Sequence, residues 1–457
     1  MQNTNKAGNY RWFICSLLFI LAMLNYLDRQ TLSLLHPFLA DKYNWTNNDY
    51  ANITGTFQLT YAVMYLFAGR FADWFGARKT LVLSAVLCSA ATIMHIFSIY
   101  IGNGLSLMFE AAGITISFSV IGFMFSRFLL AAGSAPIFPT ELKVVSLWFP
   151  DKERSSATGV YISGASAGAI IAPLIIPPIA QKFGWESAFI VAGASGLLWL
   201  FFWIAYYHSP DILLKKNKIK QNEYDYINEN KNETQYNAKS NEKKIGWTAL
   251  LQCRQTWALI IGRFMTDGIW WFFIFWLPGY LKSTYGMQGK EVMFPLAVLF
   301  TMTTIGALIG GYIPSIFIKR GMDVYASRMR SLFIFAFIPA IAFLAQPLSP
   351  ISYWLPILTI GTALAGQQAW SANLVVSTTD MFPKKNVASL AGLGGLAAGV
   401  GGITLAKTAG YLLDYYGALG KTADAYTIIF SFCASSCIVS WFIMKALVPK
   451  FQFAFEN

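Results

Sequence analysis

Charge is scarce in this chain. Lys, Arg, Asp and Glu together make up 12% of its 457 residues, where a soluble globular domain carries about 25%. Cysteine (5) and histidine (3) are sparse as well. The cysteines (Cys15, Cys88, Cys253, Cys433, Cys437) lie in apolar runs or in one basic loop, with neither metal spacing nor a disulfide pattern, and read as small apolar fillers. The histidines (His36, His95, His208) are scattered. There is no Ser-His pair, metal cluster or phosphate loop, which argues against an enzyme and against any metal or organic cofactor. The net charge of +12 is not gathered on one soluble face but lies in short links between apolar runs, which argues against nucleic-acid binding. No small-residue cleavage site follows the first apolar run, so Lys6 and Arg11 precede a retained span and not a signal peptide.

What the chain has in abundance is apolar length. Hydrophobic residues make up 56%, with 36 glycines and 15 tryptophans, the composition of a polytopic membrane protein. A hydrocarbon core takes about 20 residues of helix. Twelve such runs lie near 12–35, 50–71, 80–101, 118–138, 157–180, 185–207, 257–281, 294–318, 330–347, 353–376, 387–413 and 425–447. The expected fold is all-α, with twelve transmembrane helices in two six-helix, pseudo-symmetric halves. A Lys-, Asn- and Glu-rich segment, expected to be disordered or weakly helical, divides them. The boundaries read 1–208 for the first bundle, 209–255 for the linker and 256–457 for the second. The even-numbered links hold Arg78 and Lys79, Lys152 and Arg154, the linker, Lys319, Arg320, Arg328 and Arg330, and Lys384 and Lys385; the odd-numbered links hold far less. Both termini are therefore expected in the cytoplasm. The link near 102–117 is long and nearly uncharged, and reads as an outside loop or a re-entrant segment.

Several residues sit where apolar length makes them expensive. The first span ends in "NYLDRQTL", residues 25–32. A charge at bilayer depth costs about 2.5–3.5 kcal/mol even on lenient scales, and persists where it faces a cavity or a partner. Asp28 and Arg29 point about 100° apart on a helix, so one can face a cavity while the other turns to a neighbouring helix. Arginine offers a planar fork to a carboxylate. A carboxyl group in low dielectric can take up and release a proton. An interfacial pair at the outer surface is the competing reading. Arg127, within span four, fits gating or an interhelical bond equally well. Span seven carries Asp267 and three tryptophans (Trp270, Trp271, Trp276); such rings stack on the C–H face of a sugar, or anchor and pack. Span ten carries Gln367, Gln368 and Asn373, amides able to bond sugar hydroxyls or neighbouring helices. Span eleven, "AGLGGLAAGVGGITLAK", suits close packing or bending. Its Lys407 either meets a substrate carboxylate or snorkels to the interface, the latter preferred.

The loop after span two, "GRFADWFGARK", sets Gly69, Asp73, Gly76, Arg78 and Lys79 at a G-x-x-x-D-x-x-G-x-R-K spacing. It resembles the signature loop of the major facilitator superfamily, with a weaker echo at "GGYIPSIFIKRG" (310–321), where Ser315 stands in for Asp73. The resemblance implies a conformational latch; plain packing is the alternative. With "NYLDR", "FQLTYAVM", "LKVVSLWFP", "WWFFIFWLPGYL" and "QQAWSANLVVSTTDMFPKK", nearly the whole chain resembles the anion:cation symporter family, and within it the hexuronate-transporter branch. That resemblance implies a monomeric importer of a sugar acid in a bacterial cytoplasmic membrane, driven by the proton gradient. It implies Arg29 as ligand of the substrate carboxylate, Asp28 as proton carrier, Tyr61 in the sugar site and Arg127 in coupling. Trp271, Gln367, Gln368 and Asn373 complete the expected pocket. Two departures stand out. Ser134 falls where many relatives have a glutamate, and Gly268 where the branch usually has proline. Transport of another monocarboxylate, exchange or uniport without protons, and a transporter-like sensor signalling through the linker are the alternatives.

Overall fold

The structure is a computed structural model, and describes residues 8–111, 113, 116–228, 247–379, 381–382 and 386–450. Lys384, Lys385 and residues 229–246 of the central linker lie outside these.

Among the described residues, ten helical stretches are long and apolar enough to cross a membrane. One of them, Asn47–Leu107, is 61 residues long and holds two spans. They meet at Gly76, whose φ of 73° and ψ of 154° break the helix in a region glycine enters without steric cost. A further helix, Trp354–Thr379, has the length (26 residues) but is diluted by Gln367, Gln368 and Asn373. Together these give the twelve expected spans.

Spans one to six are Tyr10–Tyr43, the two arms of Asn47–Leu107, Phe118–Trp148, Ser156–Phe183 and Trp185–Tyr206. Spans seven to twelve are Arg254–Tyr285, Gly289–Lys319, Val324–Leu348, Trp354–Thr379, Ser389–Ala418 and Thr422–Leu447. Span four breaks after Ser134 and restarts as Ile137–Trp148. Pro139 falls in the first turn of the new helix, where a missing N–H costs nothing. Span three overruns its expected end: residues 98–111 are helical, which corrects the loop or re-entrant reading of 102–117 over 102–111, while residues 112, 114 and 115 lie outside the described residues. Gly102 and Gly122 let it lie against span four. A Cβ on either would stand 1.7 Å from a carbonyl oxygen of the other helix. Within the linker, Pro210–Lys215 and Gln221–Asn228 are short helices. Glu223 is buried against Arg11, whose backbone N–H donates to it at 3.2 Å.

The two halves meet along three pairs: span two on eleven, five on eight, and one on seven. Small residues allow the first pairing. Cβ atoms on Gly399 and Gly410 would stand 2.2 Å and 2.9 Å from the Cβ atoms of Ala62 and Ala51. The pairing is antiparallel and tight at the end far from the termini. There the Asn47 and Asn48 N–H groups donate to Asp414 at 2.9 Å each, and the Tyr50 hydroxyl donates to the Phe275 carbonyl at 2.6 Å. Lys282 reaches Asp41 and the Pro37 carbonyl from the other half.

Candidate functional site

Below that sealed end the halves enclose a cavity of about 540 Å³, lined from both sides and reaching Phe138, Leu259, Val375 and Leu390 toward the end that carries the termini. Arg29, Gln58, Tyr61 and Tyr65 come from the first half; Trp270, Trp271, Gln368 and Ser371 from the second.

Arg29 is the charge at its head. Its guanidinium carbon lies 4.7 Å from the Tyr61 ring centroid, 5.1 Å from Tyr26 and 5.6 Å from Trp271. Its Nε is buried without a hydrogen-bond partner, and it makes no ion pair among the described residues. Asp28, one residue earlier, does not line the cavity. It is buried in the first half, with Oδ1 lacking a partner. The 100° offset thus separates the two charges, arginine to the cavity and aspartate to the bundle. Arg127 is fully buried and donates twice to the Arg29 carbonyl, at 3.2 Å each. It braces the backbone beneath Arg29 and stays out of the cavity.

The other expected pocket residues divide. Tyr61, Trp271 and Gln368 line the cavity; Gln367 and Asn373 do not. The Gln367 amide donates to the Thr266 carbonyl at 2.9 Å, and the Asn373 amide to the carbonyls of Gly310 and Ala369 at 2.8 Å each. Both amides serve helix packing. Trp270 is on the cavity wall, while Trp276 packs into the far-end seal, 5.1 Å from the Tyr50 ring. Lys407 meets Asn48 and Asn52 of span two at the same seal, neither in the cavity nor snorkelling outward alone. Gly268 has no room for proline; a Cβ there would stand 2.9 Å from the Gly401 carbonyl oxygen.

In the signature loop, Gly76 makes the turn and Asp73 pairs with Lys143 of its own half at 2.7 Å. Arg78 donates to the Ile204 carbonyl at 2.8 Å, and Lys79 is exposed. Gly69 faces open space, and a Cβ added there would meet nothing within 4 Å.

The sequence matches the family model described as Major Facilitator Superfamily over residues 18–406. The chain belongs to the major facilitator superfamily. It is 27% identical over 449 residues to the hexuronate transporter of Escherichia coli K12, covering 96% of this chain and 95% of that one. It is 27% identical over 425 residues to the D-galactonate transporter of Escherichia coli O6:H1, covering 91% and 92%. The fold matches the crystal structure of a bacterial homologue of the human lysosomal transporter Spinster, inward-facing and occupied, at a TM-score of 0.72, with 15% identity and 98% and 100% coverage.

In this major facilitator transporter, several site residues escape the sequence reading. Gln58 is buried on the cavity wall with both amide atoms unpartnered, and Gly402 leaves the space it occupies. Its signal is the i, i+3, i+7 spacing of Gln58, Tyr61 and Tyr65, which puts three polar groups on one face of an apolar helix. Arg263 lines the cavity and pairs with Asp267 at 2.7 Å. Glu141, on the restarted half of span four, is a second buried carboxyl with an unpartnered oxygen. Buried polar atoms nearly always have partners. The unpartnered atoms of Arg29 and Gln58 therefore fit a ligand with a carboxylate and hydroxyls, seated against aromatic rings.

Proposed function

We propose that this transporter imports a sugar acid, a hexuronate first of all, by proton symport through alternating access in a bacterial cytoplasmic membrane. The observation that carries the reading is the unpaired Arg29 guanidinium facing a two-walled cavity beside the unpartnered Gln58 amide. A guanidinium fork binds a carboxylate through two parallel bonds. Tyr61 and Trp271 offer faces to the sugar ring, and Gln368 offers an amide to its hydroxyls. Similarity to transporters named for hexuronate and galactonate supports the same substrate class.

Asp28 carries the proton, and Glu141 is a second buried carboxyl available for it. Arg127, bonded to the backbone of Arg29, links events at Asp28 to the substrate residue. The far-end seal opens to the outside while the terminal ends close, with Gly69, Asp73, Gly76, Arg78 and Lys79 acting as the latch of the closing end. Both termini and the linker are cytoplasmic, the protein works as a monomer, and the proton gradient is its driving force with no cofactor. The second reading is exchange or uniport, favoured by Ser134, which offers a hydroxyl and not a carboxyl beside Asn25, 2.9 Å away.

Uptake of labelled glucuronate and galacturonate into proteoliposomes, with and without an inward proton gradient, tests the proposal. Gradient-driven accumulation that is lost in Arg29→Ala supports symport. Exchange without accumulation replaces it with the second reading, and no flux of either sugar acid refutes the substrate class.

A further inference from the structure

Among the described residues, three charged side chains line the cavity: Arg29, Arg263 and Asp267. Two of them, Arg263 and Asp267, neutralise each other, although the Arg263 Nε keeps no hydrogen-bond partner. The Asp267 carboxylate takes the Arg263 Nη2 at 2.7 Å on one oxygen, and the Ser371 hydroxyl of span ten at 2.9 Å on the other. Asp267 is buried and belongs to span seven one turn before Trp271, whose ring lies 5.6 Å from the Arg29 guanidinium. One turn is about 5.4 Å of helix, so the matched pair stands along the same wall as the ring that flanks Arg29. This lining carries two positive charges and one negative, and the uncompensated cation is Arg29.

We infer that Asp267 sets the charge of the transported anion: by neutralising Arg263 it leaves the cavity matched to a single carboxylate, and it turns away substrates with two. This inference rests on the sugar-acid reading and specifies the charge class within it. A monoanion places its carboxylate on Arg29 and its hydroxyls along Ser371 and the threonines of span eight, Thr303 and Thr304. A dicarboxylate of the same length brings a second charge to a wall where the Arg263 charge is already neutralised and an aspartate already stands. Like charges set side by side in a dry site oppose binding strongly, and specificity of this kind is built by repulsion as much as by attraction. With Asp267 neutral, Arg263 becomes a second open fork.

Glucuronate and glucarate share a carbon chain and differ by one carboxylate, which makes them the probes. Affinities are measured by titration calorimetry on the purified full-length transporter, wild type, Asp267→Asn, and Asp267→Asn combined with Arg263→Gln. The wild type is expected to prefer glucuronate by about tenfold or more, and Asp267→Asn to shift the ratio toward glucarate by about tenfold or more. Adding Arg263→Gln is expected to remove that shift. A wild type that binds glucarate as well as glucuronate overturns the inference without any variant, and so does an unchanged ratio in a folded Asp267→Asn. If neither sugar acid binds, the sugar-acid reading fails. The charge rule is then decided on acetate, lactate, malonate and succinate, where a preference for the dicarboxylates overturns it.

Discussion

Arg29→Ala separates a ligand-binding role from a structural one, because the two predict different behaviour in the empty protein. Hydrogen bonds to charged groups contribute about 1.5–3 kcal/mol each, and removing one partner of a buried, hydrogen-bonded charge pair costs about 3–5 kcal/mol. At about 1.4 kcal/mol per decade of affinity, glucuronate is expected to bind about 10²–10⁴-fold more weakly. Arg29→Lys keeps the charge but loses the fork and the flat contact with Tyr26 and Tyr61; losing about one such bond predicts a deficit of about 10–100-fold. Without ligand the terms nearly cancel. Ring contacts of about 0.5–2 kcal/mol apiece, made with Tyr26, Phe57, Tyr61 and Trp271, stand against a desolvation cost of several kcal/mol for an unpaired buried cation. Ligand-free Arg29→Ala should therefore melt close to the wild-type temperature. Calorimetric titration and a thermal melt on the same preparation give both numbers. Unchanged glucuronate affinity refutes the carboxylate role; a lysine variant as tight as wild type refutes the fork; a large drop in melting temperature marks Arg29 as structural.

Other outcomes follow from the same geometry. Asp28→Asn keeps the shape of a buried carboxyl whose Oδ1 has no partner, so it should fold normally, still bind and exchange glucuronate, and lose gradient-driven accumulation; retained accumulation moves the proton role to Glu141. Gly399→Leu drives a side chain into Ala62, where even a Cβ would stand at 2.2 Å. Overpacking of about 1–3 kcal/mol should hold the far end open and stop transport while the protein still folds, read as loss of uptake with a preserved melt. In a Cys253→Ser background, which removes the half-exposed cysteine and leaves four buried ones, a cysteine at Ser166 on the cavity wall should react with an impermeant maleimide from the terminal side of the membrane. Labelling from the far side alone contradicts the closed far-end seal.

The sequence exposed the fold because apolar length and loop charge act locally: the twelve spans and the small-residue face of span eleven follow from composition along one helix. It also separated Asp28 from Arg29, since neighbours on a helix cannot face one way. What it left open is helix rotation. Gln367 and Gln368 are adjacent and chemically identical, yet one bonds the Thr266 carbonyl and the other lines the cavity; packing against spans seven and eight decides which. Arg263 escaped because a cation near the terminal end of a span looks like a topology anchor. Glu141 escaped because the fourth apolar run was drawn to end at 138, whereas the helix restarts as Ile137–Trp148 with Pro139 in its first turn. Gln58 was hidden by its neighbours, an amide whose significance lies in having no partner.

The span two and span eleven contact has a consequence for how easily the molecule can rearrange. Its middle is mostly glycine and alanine, with only a few larger side chains (Gln58 against Gly402, Ile403 against Gly55, Tyr65 against Gly395) seated on glycines of the facing span, so parting it requires few side chains to move. What resists opening is a rim of polar contacts: Asn47 and Asn48 to Asp414, Lys407 to Asn52, Lys282 to Asp41, and Tyr50 to Phe275. With net contributions of about 0.5–1.5 kcal/mol per hydrogen bond, that rim holds an energy of the same order as the affinity of one small anion. A smooth contact under a weak clasp is the mechanical condition for a single bound molecule to tip the balance between the two faces.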